Sequence, residues 1–180
     1  MAIRRIAVLG AGHGGCAAAA DLTLKGFEVR LQARRADRLN AIEANGGITA
    51  RGVQDGLAPI SHLTTNVAEA VDGAELIMLV VPSVAHEAYA EALTPVLDAH
   101  TPVFLNPGHT GGGLHFAHAL ARAGFRGTPR LCETVTLTYI SRLEGAATVG
   151  IYGYTRRLMF AALPARETGV LHELIRPLYP

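Results

Sequence analysis

The glycine-rich sequence GAGHGG, residues 10–15, constrains the fold of this chain more than any other feature. It follows an apolar run at 3–9 and leads into an alanine-rich run at 14–25. Glycine loses more backbone entropy on folding than any other residue, so four glycines in six positions indicate that something passes close to the main chain. The flanking runs predict a buried strand and then a helix.

Three of these glycines, Gly10, Gly12 and Gly15, have the spacing G-x-G-x-x-G between a strand and a helix. In that context the first glycine permits a tight turn, the second lets a pyrophosphate approach the backbone, and the third lets the helix pack on the strand. Free amides at the helix start favour phosphate. The alternative is a tight turn that binds nothing. The predicted dinucleotide contacts in this segment are Gly10, Ala11, Gly12, His13, Gly14 and Gly15.

The rest of the chain continues the alternation of strand and helix. Further strands are predicted at 28–33, 76–81 and 102–106, and further helices at 37–44, 67–71, 84–99 and 112–123. The segment 48–65 resembles a small hairpin excursion. After residue 123 the pattern becomes extended, at 131–139, 147–152 and 156–163, before a last helix at 167–178. The sequence predicts an α/β fold, a doubly wound Rossmann-type sheet that is mostly parallel, with an antiparallel C-terminal extension.

The end of the second predicted strand indicates which dinucleotide binds. An NAD-binding domain usually has Asp or Glu there, about 20 residues past the glycines. Here the sequence is Gln32-Ala33-Arg34-Arg35, with no carboxylate. A guanidinium binds phosphate through a planar fork, so NADP is favoured over NAD, with Arg34 as the main contact to the 2′-phosphate and Arg35 as the second. The alternative is two solvated arginines that open the next helix.

Three further loops are predicted at the carboxyl ends of the strands, where ligands bind in such sheets. The cofactor-site residues predicted in them are Val81, Pro82, Ser83, His86, Asn106, Pro107, Gly108, Glu133 and Thr134. Ser83 has the alternative role of a helix cap. His86 and His109 have the alternative of an ordinary structural histidine, and no set of side chains has the spacing of a metal site.

Composition excludes several classes of protein. Charged residues make up 17% of the chain and the net charge is +1, so no strong field favours nucleic acid or an anionic membrane. No run reaches transmembrane length. Cys16 and Cys132 have no CxxC spacing and fit a reducing compartment. The interpretation is a soluble, cytoplasmic protein with small-molecule ligands.

Four motifs together resemble the N-terminal domain of the octopine/nopaline (opine) dehydrogenase family: GAGHGG, VVPSVAHEAYAE, LNPGHTGGGLHF and ETVTLTYISR. The resemblance runs from about residue 3 to the end of the chain. It implies NADH- or NADPH-dependent reductive condensation of an amino acid with an α-keto acid. It also implies a role for each motif. The glycine turn with His13 would line the pyrophosphate, and Pro82 and Ser83 would border the nicotinamide. Glu133 and Thr134 would lie near the reacting centre, and the floor of the cleft would be closed by Asn106, Pro107, Gly108 and Thr110.

The resemblance further implies a second, substrate-binding domain that supplies the catalytic histidine. We therefore expect a dinucleotide-binding domain at 1–165, and at 166–180 the start of a connecting helix. Catalytic residues are not assigned, and the domain alone is expected to bind dinucleotide without turnover, with its apolar cleft wall favouring a homodimer. Two alternatives stay open at this point. One is a related reductase of the 6-phosphogluconate, glycerol-3-phosphate and ketopantoate clan, and the other is a non-catalytic NADP-binding sensing module.

Overall fold

The computed structural model describes residues 3–179, which form eleven strands and six helices. The strands are β1 Arg5–Leu9, β2 Glu28–Gln32, β3 Ile48–Gly52, β4 Gly56–Ala58, β5 His62–Thr64, β6 Leu76–Leu79, β7 Val103–Leu105, β8 Leu131–Thr134, β9 Tyr139–Leu143, β10 Thr148–Tyr154 and β11 Phe160–Leu163. The helices are α1 His13–Leu24, α2 Ala36–Ala44, α3 Val67–Val71, α4 His86–Leu93, α5 Gly112–Arg122 and α6 Thr168–Ile175.

Seven strands form the main sheet in the order β11-β8-β7-β6-β1-β2-β5. All pairs are parallel except β11 with β8, which is antiparallel. Strands β2 and β5 follow β1 on one side of it. Helix α3 then connects β5 to β6, which pairs with β1 on its other side. The predicted doubly wound fold is confirmed, and the strand order reverses between β1 and β6, where such sheets bind ligands.

Four strands form a second sheet, in the order β4-β3-β10-β9. β3 and β4 are the hairpin predicted in 48–65, but β5 from the same segment joins the edge of the main sheet. Of the extended segment predicted at 131–139, only 131–134 form a strand of the main sheet, β8. Strand β9 of the second sheet begins at Tyr139 and lies mostly beyond the predicted segment. Short strands of alternating polarity do not reveal their partners, and β10 pairs in parallel with β3 about a hundred residues earlier in the chain.

Two predicted helices are shorter in the structure because proline interrupts them. The helix predicted at 84–99 is a 3₁₀ turn followed by α4, which ends two residues before Pro95. The helix predicted at 167–178 ends as α6 at Ile175, before a 3₁₀ turn that contains Pro177. Proline lacks the amide proton that continues a helix. No helix within residues 3–179 is long and apolar enough to cross a lipid bilayer.

Helix α1 is buried between the two sheets, which explains its run of alanines. Its residues from Gly15 to Leu22 are all buried, including the carboxylate of Asp21. Asp21 accepts hydrogen bonds from the hydroxyls of Tyr139 at 2.9 Å and Tyr154 at 2.7 Å, and from Lys25 Nζ at 2.9 Å. Burial, together with the bond to Asp21, raises the pKa of Tyr154 to about 12. The helix, the second sheet and Lys25 therefore meet at one buried carboxylate.

The end of the described chain packs on the same core. Leu171, Ile175 and Leu178 are buried with the residues around α1, and Lys25 Nζ donates to the Leu178 carbonyl at 2.8 Å. Helix α6 therefore packs on the domain, and its role as the start of a connection to a second domain stays a prediction.

Candidate dinucleotide site

The three motif glycines meet different surroundings in the turn between β1 and α1. Gly10 has a φ of +107°, and a Cβ there would lie 2.5 Å from the Val80 carbonyl oxygen. A Cβ at Gly15 would overlap the Gly10 carbonyl oxygen. A Cβ at Gly12 would meet no atom within 4 Å. The fold itself thus requires Gly10 and Gly15, whereas the space over Gly12 is open to a ligand.

The start of α1 is suited to an anion. Gly12 is its N-cap, so no side chain caps the helix, and its first turn has no acidic residue. The first amides of a helix lack partners within it, and the helix dipole places partial positive charge there. The residues present therefore fit a pyrophosphate group above Gly12.

A cavity of about 360 Å³ lies beside this turn. The phosphate turn, the end of β2 and the loop after β6 all contribute to it, so the structure brings these three predicted segments together. Its lining residues are Gly10, Ala11, Gly12, Ala33, Arg34, Arg35, Asp37, Arg38, Val80, Val81, Pro82 and Tyr89. Five of these residues were not predicted from the sequence: Ala33, Asp37, Arg38, Val80 and Tyr89. The first three lie within three residues of the predicted arginines.

The arginines of this cavity differ in their partners. Arg35 forms a two-pronged ion pair with Asp37, with distances of 2.7 Å from Nη2 to Oδ2 and 3.1 Å from Nε to Oδ1. The hydrogen bond from Arg35 lowers the pKa of Asp37. Arg38 donates to the Ala146 carbonyl at 3.1 Å. Arg34 is exposed and has no carboxylate partner among residues 3–179, so its guanidinium is available to a phosphate.

Gln32, at the end of β2, forms its side-chain hydrogen bonds within the protein. Gln32 is buried, accepts a hydrogen bond from the Tyr89 hydroxyl at 2.8 Å and donates to the Thr65 carbonyl at 3.1 Å. It therefore does not replace the carboxylate that binds a ribose in NAD-specific sites.

His13 connects the phosphate turn to the second sheet. Its Nδ1 accepts the amide proton of Leu143 at 2.8 Å, and its carbonyl accepts from the Ser141 hydroxyl at 3.3 Å. Because Nδ1 is an acceptor, the neutral ring carries its proton on Nε2 and can donate from that atom.

The second glycine-rich turn encloses a carboxylate of the chain itself. Glu133 Oε2 accepts the Gly113 amide at 2.8 Å, and a Cβ at Gly108 would overlap the same carboxylate. Gly112 borders it as well. Glu133 thus caps α5 at its positive end, and these glycines leave room for its side chain.

Asn106 and Thr134 point into the protein. Asn106 Oδ1 accepts from the Thr138 amide at 3.1 Å and the Thr138 hydroxyl at 3.0 Å, and Nδ2 donates to the Tyr179 hydroxyl at 3.2 Å. Ten predicted residues do not line the 360 Å³ cavity: His13, Gly14, Gly15, Ser83, His86, Asn106, Pro107, Gly108, Glu133 and Thr134. Their assignment to the cofactor site stays a prediction.

The comparison with known families agrees with this geometry. A family model described as NAD-dependent glycerol-3-phosphate dehydrogenase N-terminus matches residues 5–120, which include every residue that lines the 360 Å³ cavity. The chain belongs to this family of dehydrogenase N-terminal domains.

This dehydrogenase domain is also similar to opine dehydrogenases, which confirms the resemblance found in its motifs. It is 35% identical over 179 residues to an opine dehydrogenase from Arthrobacter sp. (strain 1C), and the alignment covers 97% of this chain and 48% of that protein. The chain thus spans about half the length of that curated relative.

Two solved structures share the fold of the dehydrogenase domain. An octopine dehydrogenase in complex with NADH and agmatine has a TM-score of 0.77 at 21% identity, over 88% of this chain and 42% of that one. A yersinopine dehydrogenase with NADP+ bound has a TM-score of 0.74 at 16% identity, over 98% of this chain and 46% of that one.

His86 of the dehydrogenase domain is a buried histidine at the start of α4. Its ring packs edge-on against Phe116, with centroids 6.1 Å apart. Neither ring nitrogen has a hydrogen-bond partner within the described chain. Burial lowers the pKa of His86, and the nearby His115 and His109 lower it further.

We expect the free energy of unfolding to decrease as the pH is lowered because of His86. The unfolded chain takes up a proton at His86 below about pH 6.5, whereas the folded chain resists it until a lower pH. The contribution is therefore fully present above pH 6.5 and is lost as pH falls toward the lowered pKa.

Urea unfolding at pH 7.5 and 5.5 should show a smaller decrease in His86→Leu than in the native chain. His118→Gln, which changes an exposed histidine, is the control. Equal decreases in His86→Leu and the native chain would show that His86 is not the cause.

Proposed function

We propose that this chain is the NADP-binding domain of an opine-type dehydrogenase. The observation that carries the proposal is the open space above Gly12 at the start of a helix with no side-chain cap. The turn and the 360 Å³ cavity between β1, β2 and β6 would together hold the pyrophosphate and one nucleoside of the cofactor. When bound, the nicotinamide supplies a hydride.

The extent of similarity favours an opine dehydrogenase over a glycerol-3-phosphate dehydrogenase. The glycerol-3-phosphate dehydrogenase model ends at residue 120, before β8. The similarity to the opine dehydrogenase covers 97% of the chain and so includes Glu133, Thr134 and the second sheet's β9 and β10. We infer that the substrates are an amino acid and an α-keto acid, and that the acid–base group comes from outside residues 3–179.

The preference for NADP follows from the charges beside the turn. Arg34 has no carboxylate partner within the described residues, and Arg35 is oriented by Asp37 at the N-terminus of α2. A 2′-phosphate in the cavity would accept charge-assisted hydrogen bonds from these guanidiniums. NAD would bind to the same turn without that contribution.

Side-by-side titration of the chain with NADPH and NADH tests this proposal. Arg34→Asp should weaken NADPH binding about tenfold, because one charge-assisted hydrogen bond is lost and a like charge is introduced. NADH affinity should be unchanged or improved. Arg51→Asp alters an exposed arginine on β3 outside the cavity and should change neither affinity. Equal losses for both dinucleotides in Arg34→Asp would show that Arg34 does not read the 2′-phosphate.

A further inference from the structure

A second cavity, of about 300 Å³, lies between β11, α6 and the loop after β10. It has no lining residue in common with the cavity at the phosphate turn. One wall is aromatic. Phe160 and His172 have ring centroids 5.7 Å apart, and the fully buried Phe104 supports Phe160 from behind at 6.3 Å. These faces and edges suit a flat apolar group, which gains from aromatic contact beyond the area it buries.

The hydroxyl groups of this cavity have no proton to offer a ligand. Thr134 and Thr138 both donate to Asn106 Oδ1, at 3.4 and 3.0 Å. Thr155 donates to the Leu137 carbonyl at 2.9 Å, and Tyr154 donates to Asp21. The Tyr179 hydroxyl donates to Met78 Sδ at 3.9 Å. Recognition of a charged ligand must therefore come from other side chains.

Two arginines supply that charge. Arg156 and Arg176 line the cavity, and none of its described lining residues is acidic. Arg156 has no carboxylate within ion-pair distance among residues 3–179. Arg176 reaches Glu173 at 3.5 Å, but both side chains are more than 60% exposed, so that pair is weak. A planar guanidinium matches the two oxygens of a carboxylate.

We propose that this cavity binds a small carboxylate that carries an aromatic ring. The ring would lie against Phe160 and His172, and the carboxylate would face Arg156 and Arg176. The volume is near the lower end of the range for small-molecule pockets, which fits a compact ligand with one ring. The site does not depend on the dinucleotide, and so it can exist whether or not the proposed cofactor binds.

The test is a titration of the full chain with phenylacetate, in which two-dimensional amide NMR monitors binding. We expect saturable binding with a Kd of about 1 mM or below. Chemical-shift changes should concentrate at 154–160 and 172–179. Phenylacetamide, which has the same ring without the charge, should bind about tenfold more weakly.

Matched arginine variants separate this site from non-specific attraction. Arg156→Gln and Arg176→Gln should each weaken phenylacetate binding about fivefold. Arg157→Gln removes an exposed neighbour that does not line the cavity, and it should leave the affinity unchanged. Equal effects of all three variants would overturn the proposal, as would shift changes centred elsewhere or the absence of saturation. NADPH titration of the same samples tests the proposed function separately.

Discussion

Gly12→Val is expected to lose about a hundredfold in affinity for both NADPH and NADH while the domain stays folded. The Cβ added at this position meets no protein atom within 4 Å, so the side chain enters the space proposed for the pyrophosphate. Loss of two charge-assisted hydrogen bonds to the first amides of α1 corresponds to a factor of this size. Calorimetric titration measures the affinities, and urea unfolding should show a change of within about 1 kcal/mol for a substitution at the N-cap.

Two other glycines serve as controls for this result. Gly169 also has no atom within 4 Å of a Cβ, but it lies in α6, so Gly169→Val should preserve both binding and stability. Gly15→Ala should instead impair folding, because its Cβ would overlap the Gly10 carbonyl. An unchanged affinity in Gly12→Val would overturn the placement of the cofactor.

Asp21→Ala is expected to destabilise the domain by about 3–5 kcal/mol, the range for breaking a buried ion pair. The substitution leaves the buried Tyr139 hydroxyl and the largely buried Lys25 ammonium without their shared acceptor. A typical domain is stable by about 5–15 kcal/mol, so much of the folded population would be lost. Urea unfolding followed by circular dichroism gives the free energy of unfolding.

An exposed ion pair provides the comparison for Asp21. Glu87 pairs with Arg122 at 3.0 Å, and both side chains are about half exposed or more. Glu87→Ala should cost at most about 1 kcal/mol. If Asp21→Ala cost no more than Glu87→Ala, the buried carboxylate would not stabilise the contact between α1 and the second sheet.

Local patterns were sufficient to predict most elements and the phosphate turn. Helix α3 was predicted with its observed bounds, and its start is capped by Asn66, whose side chain accepts the Ala68 amide at 2.9 Å. The turn at 10–15 could be predicted because the positive φ of Gly10 and the contact of Gly15 with the Gly10 carbonyl are local requirements of one short stretch. Such requirements are visible in a short stretch of chain.

Features that depend on distant partners could not be predicted. The segment 48–65 was assigned to a single hairpin, yet it contributes to both sheets, and most of β9 was not predicted at all. Asn106 follows a predicted strand like a ligand-binding residue, but Thr138 and Tyr179 determine where its side chain points. Asp21 looks like one polar residue in an alanine-rich helix until Tyr139 and Tyr154 are placed beside it. These partners lie more than thirty residues away along the chain.

The pairing of β10 with β3 has a consequence for synthesis on the ribosome. The strands that cover the outer face of α1 include residues 139–154, which leave the exit tunnel long after the helix itself. Until they emerge, the nascent chain presents an uncovered apolar helix, and contacts of such large sequence separation form slowly. Cotranslational folding of this domain should therefore stall after the first strands and finish only when the hairpin of β9 and β10 docks.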